Sequence, residues 1–520
     1  MLMPSYKLSR ILLAFFVTGL VSSCSSTKPG GQADDHLIDI NLVQVNDVYE
    51  IAPLNNGKEG GMARVATVKK KYLRSNPNTL LLMAGDFLSP SVYNSLKYEG
   101  KSIRGRQMVD AMNAAGFDLA IFGNHEFDIR ENELQDRINE SAFRWISTNT
   151  FHQVNGEAQP FRRNNQIGQY SFPPYIIQSC NDADGTKARI AFIGLTLPFN
   201  KAAYVSYTNV RQTATQWYDR LKDSADAIVA ITHQSMEDDI QLAKDLPGLA
   251  AILGGHEHDQ RYAQVGGVII TKAMANAKSA YIIRLSLNTQ KKTCRVSTQL
   301  EKLDSQIALD EATSRVVDHW TSVAEQSFSS LGFDAGKTIL NAGEPLDGRE
   351  TEVRSRSTNL CRLIVQAMKQ AAPMADLVIL NGGSIRVDDQ LSVPVTQYDI
   401  IRTLPFGGSI RECMVNGTTL IKILFAGKTN IGTGGFLHSN DYIVFDDATQ
   451  SWKIHGNAVD LNKDYRVALP EFLLTGGESN LGFLKNGSPE VLRVYDLPED
   501  KQDPRWDIRK AVIRMMEAQK

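Results

Sequence analysis

Residues 119–128, LAIFGNHEFD, decide how the rest of the chain is read: an apolar run from Leu119 to Phe122 breaks into Gly123-Asn124-His125-Glu126-Phe127-Asp128. A short apolar run bounded by turn residues reads as a buried strand. The pattern recurs on both sides. INLVQV (40–45) ends in Asn46-Asp47, TLLLMA (79–84) in Gly85-Asp86, AIVAI (227–231) in Thr232-His233, and LAAIL (249–253) in Gly254-Gly255-His256-Glu257-His258. Ligands of α/β sheets gather outside the carboxyl ends of the strands, so these five ends are expected to meet at one metal site. Any one of them alone would more often be a satisfied turn residue; the recurrence carries the reading.

The residue types narrow the metal. Asp47, Asp86, Asn124, His233, His256 and His258 offer carboxylate, amide and imidazole without thiolate. That set favours Zn, Mn, Fe, Co or Ni over an iron–sulfur cluster or a Cys-rich structural zinc. A carboxylate such as Asp86 can bridge two ions. Two ions roughly 3.5 to 4 Å apart activate a water and clamp the attacking and leaving oxygens of a phosphoryl group.

The order ND, GGMAR (60–64), GD, GNHEFD, TH, GHEH resembles the calcineurin-like metallophosphoesterases, and within them the 5′-nucleotidases. The resemblance implies an α/β chain: an N-terminal β-sandwich flanked by helices that carries two divalent ions, linked by a helix to an α/β C-terminal substrate domain. It implies that Asp86 bridges the ions, that Asp47 and His258 hold one, and that Asn124, His233 and His256 hold the other. It gives His125, oriented by Asp128, a catalytic role at the reacting phosphate or leaving oxygen. Physically, a carboxylate beside an imidazole fixes the tautomer and favours the imidazolium. The chain departs from the pattern at Asn46-Asp47-Val48-Tyr49, where the family usually has N-D-x-H. Tyr49 is either a phenolate ligand, which must lose a proton whose ordinary pKa is about 10, or a packing and hydrogen-bonding residue. Both readings stay open.

Further along, apolar residues at Val316, Val317, Trp320, Val323 and Ala324 have helical spacing, and residues 304–335 are expected to link two domains, 37–303 and 336–520. STNLCRLIVQAMKQAA (357–372) reads as a helix and DLVIL (376–380) as a strand entering Asn381-Gly382-Gly383-Ser384-Ile385-Arg386. These segments resemble the 5′-nucleotidase C-terminal domain. By that resemblance Arg354, Asn381 and Arg386 face the phosphate or ribose and Phe436 stacks on a base. Arg suits this work because its planar fork grips phosphate oxygens in pairs. Gly476-Gly477-Glu478-Ser479-Asn480 puts Asn480 where the family commonly has a second aromatic, which leaves phosphatase chemistry better supported than base preference.

With 520 residues, 42% hydrophobic and 22% charged, the chain is long enough for two or three domains, and a net charge of -2 with scattered basic residues disfavours a nucleic-acid polymer as partner. Lys7 and Arg10 precede ILLAFFVTGL and Val21-Ser22-Ser23-Cys24, which resembles a bacterial lipobox. Residues 1–23 are thus expected to be a signal peptide, Cys24 the lipidated N-terminus, and 24–36 a tether holding the protein on the cell envelope. Ser25, in place of Asp, favours the outer membrane. Cys180, Cys294, Cys361 and Cys413 have no Cys-x-x-Cys spacing; an exported protein can pair such cysteines, and buried free thiols are the default expectation.

The expected activity is metal-dependent hydrolysis of a small phosphate ester, foremost a 5′-nucleotide, outside the cytoplasm. A nucleotide sugar, a cyclic nucleotide or a non-nucleotide ester is the alternative substrate. A catalytically weak surface binding protein is the alternative class, and the His125–Asp128 pair, which a binder does not need, argues against it.

Overall fold

The computed structural model describes residues 34–165, 168–200 and 202–518. The expected signal peptide, Cys24 and most of the expected tether lie outside the described residues.

Residues 37–302 contain two six-stranded sheets packed face to face. One runs in the order Thr293–Lys302, Ser279–Asn288, Leu37–Val45, Thr79–Met83, Leu119–Ala120, Arg144–Trp145. The other runs Tyr175–Asn181, Lys187–Thr196, Ala227–His233, Ala251–Gly255, Val268–Lys272, Arg261–Val265. Alternate side chains fill the space between them: Ile40, Leu42, Leu80 and Leu82 from the first sheet meet Ile190, Phe192, Val229, Ile231 and Leu253 from the second. Such alternation puts every second residue of a strand on one face. Helices cover the outer faces: Met62–Ser75 and Arg106–Ala115 on the first sheet, Val210–Leu221 and Met236–Asp245 on the second.

Within each sheet the central strands run parallel, Leu37–Val45 with Thr79–Met83 and Leu119–Ala120, and Ala227–His233 with Ala251–Gly255. Parallel pairing aligns their carboxyl ends. All five expected strands are present, the LAIF run only as Leu119–Ala120.

The helix Glu311–Ser330 buries Val317, Trp320, Ala324 and Phe328, with Trp320 Nε1 donating to Asp110 Oδ2 at 3.1 Å. Asp310 caps its start by accepting the N–H of Thr313. Beyond it lies a five-stranded sheet in the order Leu437–Ser439, Leu377–Asn381, Asp464–Pro470, Ile410–Asn416, Arg493–Val494, covered by the helices Asn359–Ala371 and Gly417–Thr429. Cys180, Cys294, Cys361 and Cys413 are free.

Candidate metal centre and substrate face

At the aligned strand ends the backbone turns back on itself. Asp47, Asp86 and His256 have φ of 53°, 54° and 87°, a left-handed conformation that aims their side chains into the sheet edge. Gly85 makes this approach possible: a Cβ there would sit 2.6 Å from Gly123 N and 2.7 Å from His233 Nδ1.

The turns bring one ligand atom each from Asp47, Asp86 and His233 within 4.8 Å of one another, all buried. His233 Nε2 lies 3.1 Å from Asp86 Oδ2 and 3.8 Å from Asp47 Oδ1. His258 Nε2 lies 3.5 Å from Asp47 Oδ1. The main chain joins the rest: His125 N donates to Asp86 Oδ1 at 2.7 Å, and His256 N to Asp47 Oδ2 at 3.0 Å. Tyr49 OH stands 3.1 Å from His258 Nε2 and 3.4 Å from Asp86 Oδ2.

Two atoms in this cluster are conspicuous. Asn124 Oδ1 is buried with no hydrogen-bond partner, and His233 Nε2 is buried with only the poorly aligned Asp86 carboxylate 3.1 Å away. An unpaired buried polar atom costs about 1–3 kcal/mol, so such atoms mark where a ligand belongs. Both are electron-pair donors, since His233 Nδ1 gives its proton to Ala84 O at 2.8 Å. The charge balance agrees. Burial opposes a charge on His233, yet the Asp86 and Asp47 carboxylates raise its pKa to about 9. Burial alone would raise Asp86 as well, but His233 and His125 outweigh it and hold the carboxyl below the usual range. The pocket therefore calls for positive charge, which a divalent ion supplies. Burial and His233 push His256 down to about 4, keeping its lone pair free. For Tyr49, burial and then Asp86 push the phenol well above its ordinary value, so it is a neutral hydroxyl among these side chains.

His125 sits at the lip. Its Nδ1 pairs with Asp128 Oδ2 at 2.6 Å, and Asn200 Nδ2 holds the other oxygen of Asp128 at 2.8 Å. Burial works against its charge, but Asp86 and Asp128 raise its pKa.

Sequence reasoning missed Glu126. Fully buried beneath the site, its carboxylate accepts the N–H groups of Asp86, Phe87, Leu88 and Gly123 at 2.6 to 3.0 Å. Lys272 was missed too: buried behind the GHEH turn, its Nζ donates to Gln234 O at 2.5 Å and Gly255 O at 2.8 Å and bonds Glu257. A charged residue at the end of an apolar strand, VIITK (268–272), was the available signal for Lys272.

On the C-terminal side, Arg386 is pressed by burial and by the Arg354 guanidinium, both of which lower its pKa. Two cations facing one space favour an anion between them. Arg354 pairs with Glu350, and Asn381 Nδ2 donates to Glu478 Oε2 at 2.9 Å. Phe436 is half-buried with its ring edge-on to His438 at 5.2 Å. Two aromatics not singled out from sequence are more open: Phe406 is 65% exposed with Arg386 over its ring at 5.3 Å, and Phe472 is 49% exposed. They share one end of the sheet, since Ile410 pairs with Pro470 and Ser409 Oγ donates to Glu471 Oε2. Asn480 has φ of 60° and donates to Asn430 Oδ1 at 2.6 Å, a loop-closing role.

Residues 40–260 match the family model for calcineurin-like phosphoesterases and residues 337–485 that for the 5′-nucleotidase C-terminal domain. Protein UshA of Yersinia enterocolitica is 25% identical, covering 89% of this chain and 91% of its own. The 5′-nucleotidase of Bos taurus is 26% identical, covering 81% and 78%. A 5′-nucleotidase precursor from Thermus thermophilus has the same fold, with a TM-score of 0.65 at 21% identity over 93% of this chain and 97% of that one.

Proposed function

Because the chain belongs to the calcineurin-like metallophosphoesterases and carries a 5′-nucleotidase C-terminal domain, we propose that it is a dimetal phosphoesterase that hydrolyses 5′-nucleotides to nucleosides and phosphate outside the cytoplasm. The observation that carries this is the pair of orphaned donors, Asn124 Oδ1 and His233 Nε2, buried beside two carboxylates at aligned strand ends.

In this reading residues 37–303 hold the ions, 304–335 link, and 336–520 present the substrate. Asp47, Asp86 and His258 would hold one ion, with Tyr49 beside it as a hydrogen-bonding hydroxyl or a ligand. Asp86, Asn124, His233 and His256 would hold the other. When bound, the pair supplies an activated water and neutralises phosphoryl charge. The remaining work falls to side chains. Asp128 accepts a hydrogen bond from His125 Nδ1–H and, with Asp86, favours the imidazolium, whose Nε2–H can serve the reacting phosphate or the leaving oxygen. Arg354 and Arg386 bind the phosphate, Asn381 orients the ribose, and Phe436 offers a face to the base, with Phe406 a second aromatic nearby.

The protein is exported and lipid-anchored through Cys24 to the outer membrane. The basic n-region, the short apolar run and the lipobox-like Val21-Ser22-Ser23-Cys24 support this, and no helix among the described residues is long and apolar enough to cross a membrane.

The test is phosphate release from adenosine monophosphate, a nucleotide sugar, a cyclic nucleotide and an aryl phosphate by the purified protein supplied with Mn, Co or Zn. Preferred turnover of the monophosphate supports the reading. Binding of nucleotides without phosphate release from any ester would instead make the chain a binding protein.

A further inference from the structure

The two ring nitrogens of His258 look into different domains. Nε2 faces the metal cluster, 3.1 Å from Tyr49 OH and 3.5 Å from Asp47 Oδ1. Nδ1 is hydrogen-bonded to Asp388 Oδ2, a carboxylate carried by the C-terminal domain just past Asn381-Gly382-Gly383-Ser384-Ile385-Arg386. Side-chain exposures of 15% and 20% put the pair away from bulk water.

Asp388 is held in place for this contact. Its backbone has φ of 37°, and its other oxygen accepts the N–H of Glu350. The next residue, Asp389, pins the same loop to both domains, bonding Lys278 Nζ at 3.0 Å from the N-terminal side and Arg402 Nη1 at 3.3 Å from its own. A carboxylate that accepts the second N–H of an imidazole fixes the tautomer and ring orientation and makes the opposite nitrogen a better ligand. Here the partner comes from across the domain boundary.

We propose that Asp388 is a positioning residue for the metal centre: by accepting the hydrogen bond from His258 Nδ1–H it presents Nε2 to the ion, so that the N-terminal metal site is completed by the C-terminal domain. The proposal rests on the dimetal reading. Its consequence is a thermodynamic link. Whatever seats the C-terminal domain in this arrangement tightens the ion held by His258, and loading that ion favours this arrangement in equal measure.

The experiment uses the full chain and the metal alone, Mn or Zn, titrated against a competing chelator. Wild type should bind two ions. D388A should weaken one of them about 10- to 100-fold and leave the other unchanged. D388N, whose amide oxygen still accepts the Nδ1 proton without a charge, should fall between wild type and D388A. In an H258A background D388A should add no further loss, because the residue acts only through His258. D389N, which loosens the same loop but keeps the Asp388 carboxylate, should weaken that same ion less than D388A does. Wild-type affinity in D388A overturns the proposal, as does an equal loss in the H258A background or in D389N. Nitrogen-15 spectra of the loaded wild type give a check that needs no variant, since His258 must show a protonated Nδ1 and an unprotonated Nδ1 overturns the assignment. Should the wild type bind fewer than two ions, the dimetal reading itself fails, a result separate from any effect of Asp388.

Discussion

The carboxylate of Glu126 accepts the backbone N–H of Asp86 at 2.9 Å and so holds the metal-facing turn from beneath. Its two oxygens also take the N–H groups of Phe87, Leu88 and Gly123. Glu126 is fully buried.

Glu126→Gln replaces one of those oxygens with an NH2 group facing N–H donors. Each buried donor left unpaired costs about 1–3 kcal/mol. Chemical denaturation should show a loss of at least about 2 kcal/mol, and metal analysis a loss of bound ion. Wild-type stability with full metal content would mean the turn is held by other contacts.

His125→Ala should separate chemistry from metal binding. Its side chain lies at the lip and pairs with Asp128, whereas only its backbone N–H reaches Asp86. Metal content should stay near wild type while kcat falls about 10²- to 10⁴-fold. An equal fall in metal content would place the imidazole among the ligands instead.

Phe436 and Phe406 make different contacts, one edge-on to His438 and half-buried, the other exposed beneath Arg386. A base stacked on an aromatic gains about 1–3 kcal/mol. Phe436→Ala and Phe406→Ala are each expected to raise KM for a nucleoside monophosphate by about fivefold or more while sparing an aryl phosphate. A variant that raises both KM values alike identifies its aromatic as a support for the loop.

Glu50 links stability to pH. Buried in the N-terminal domain, it accepts a hydrogen bond from Tyr398 OH at 2.5 Å, and burial raises its pKa from 4.5 to about 7 against the pull of Tyr398 and Arg402. The folded state keeps this proton between pH about 4.5 and 7 while the unfolded chain releases it. Its contribution is therefore full below about pH 4.5 and is lost as pH rises toward 7, by about 3 kcal/mol. Glu50→Gln should flatten that part of the stability profile; a slope unchanged in the variant assigns it to other groups.

The strand ends were legible because both signals are local: an apolar run and the ligand-type residues that follow it. Asp47, Asp86 and His233 lie with ligand atoms within 4.8 Å of one another at those ends, and His258 Nε2 is 3.5 Å from Asp47 Oδ1. Local reading failed where the partner is distant in the chain. Glu126 was visible in GNHEFD, but its job depends on where residues 86–88 lie, and Asp388 has meaning only once two domains meet. Exposure is likewise a tertiary property. Nothing local marks Phe406 or Phe472 as exposed, and only the pairing of Ile410 with Pro470 brings their loops to one end of the sheet. Helix limits were approximate for a further reason: the Asp310 cap, not the apolar spacing, sets where Glu311–Ser330 begins.

The most direct measurement is phosphate release from adenosine monophosphate as a function of metal equivalents added to exhaustively chelated protein. Turnover should be absent without metal and rise to a plateau that breaks at two ions per chain, and Asp86→Ala, which removes the carboxylate facing both His233 and Tyr49, should show no such break. Full turnover after exhaustive chelation, or a plateau reached at one ion, would contradict a dimetal centre at these strand ends.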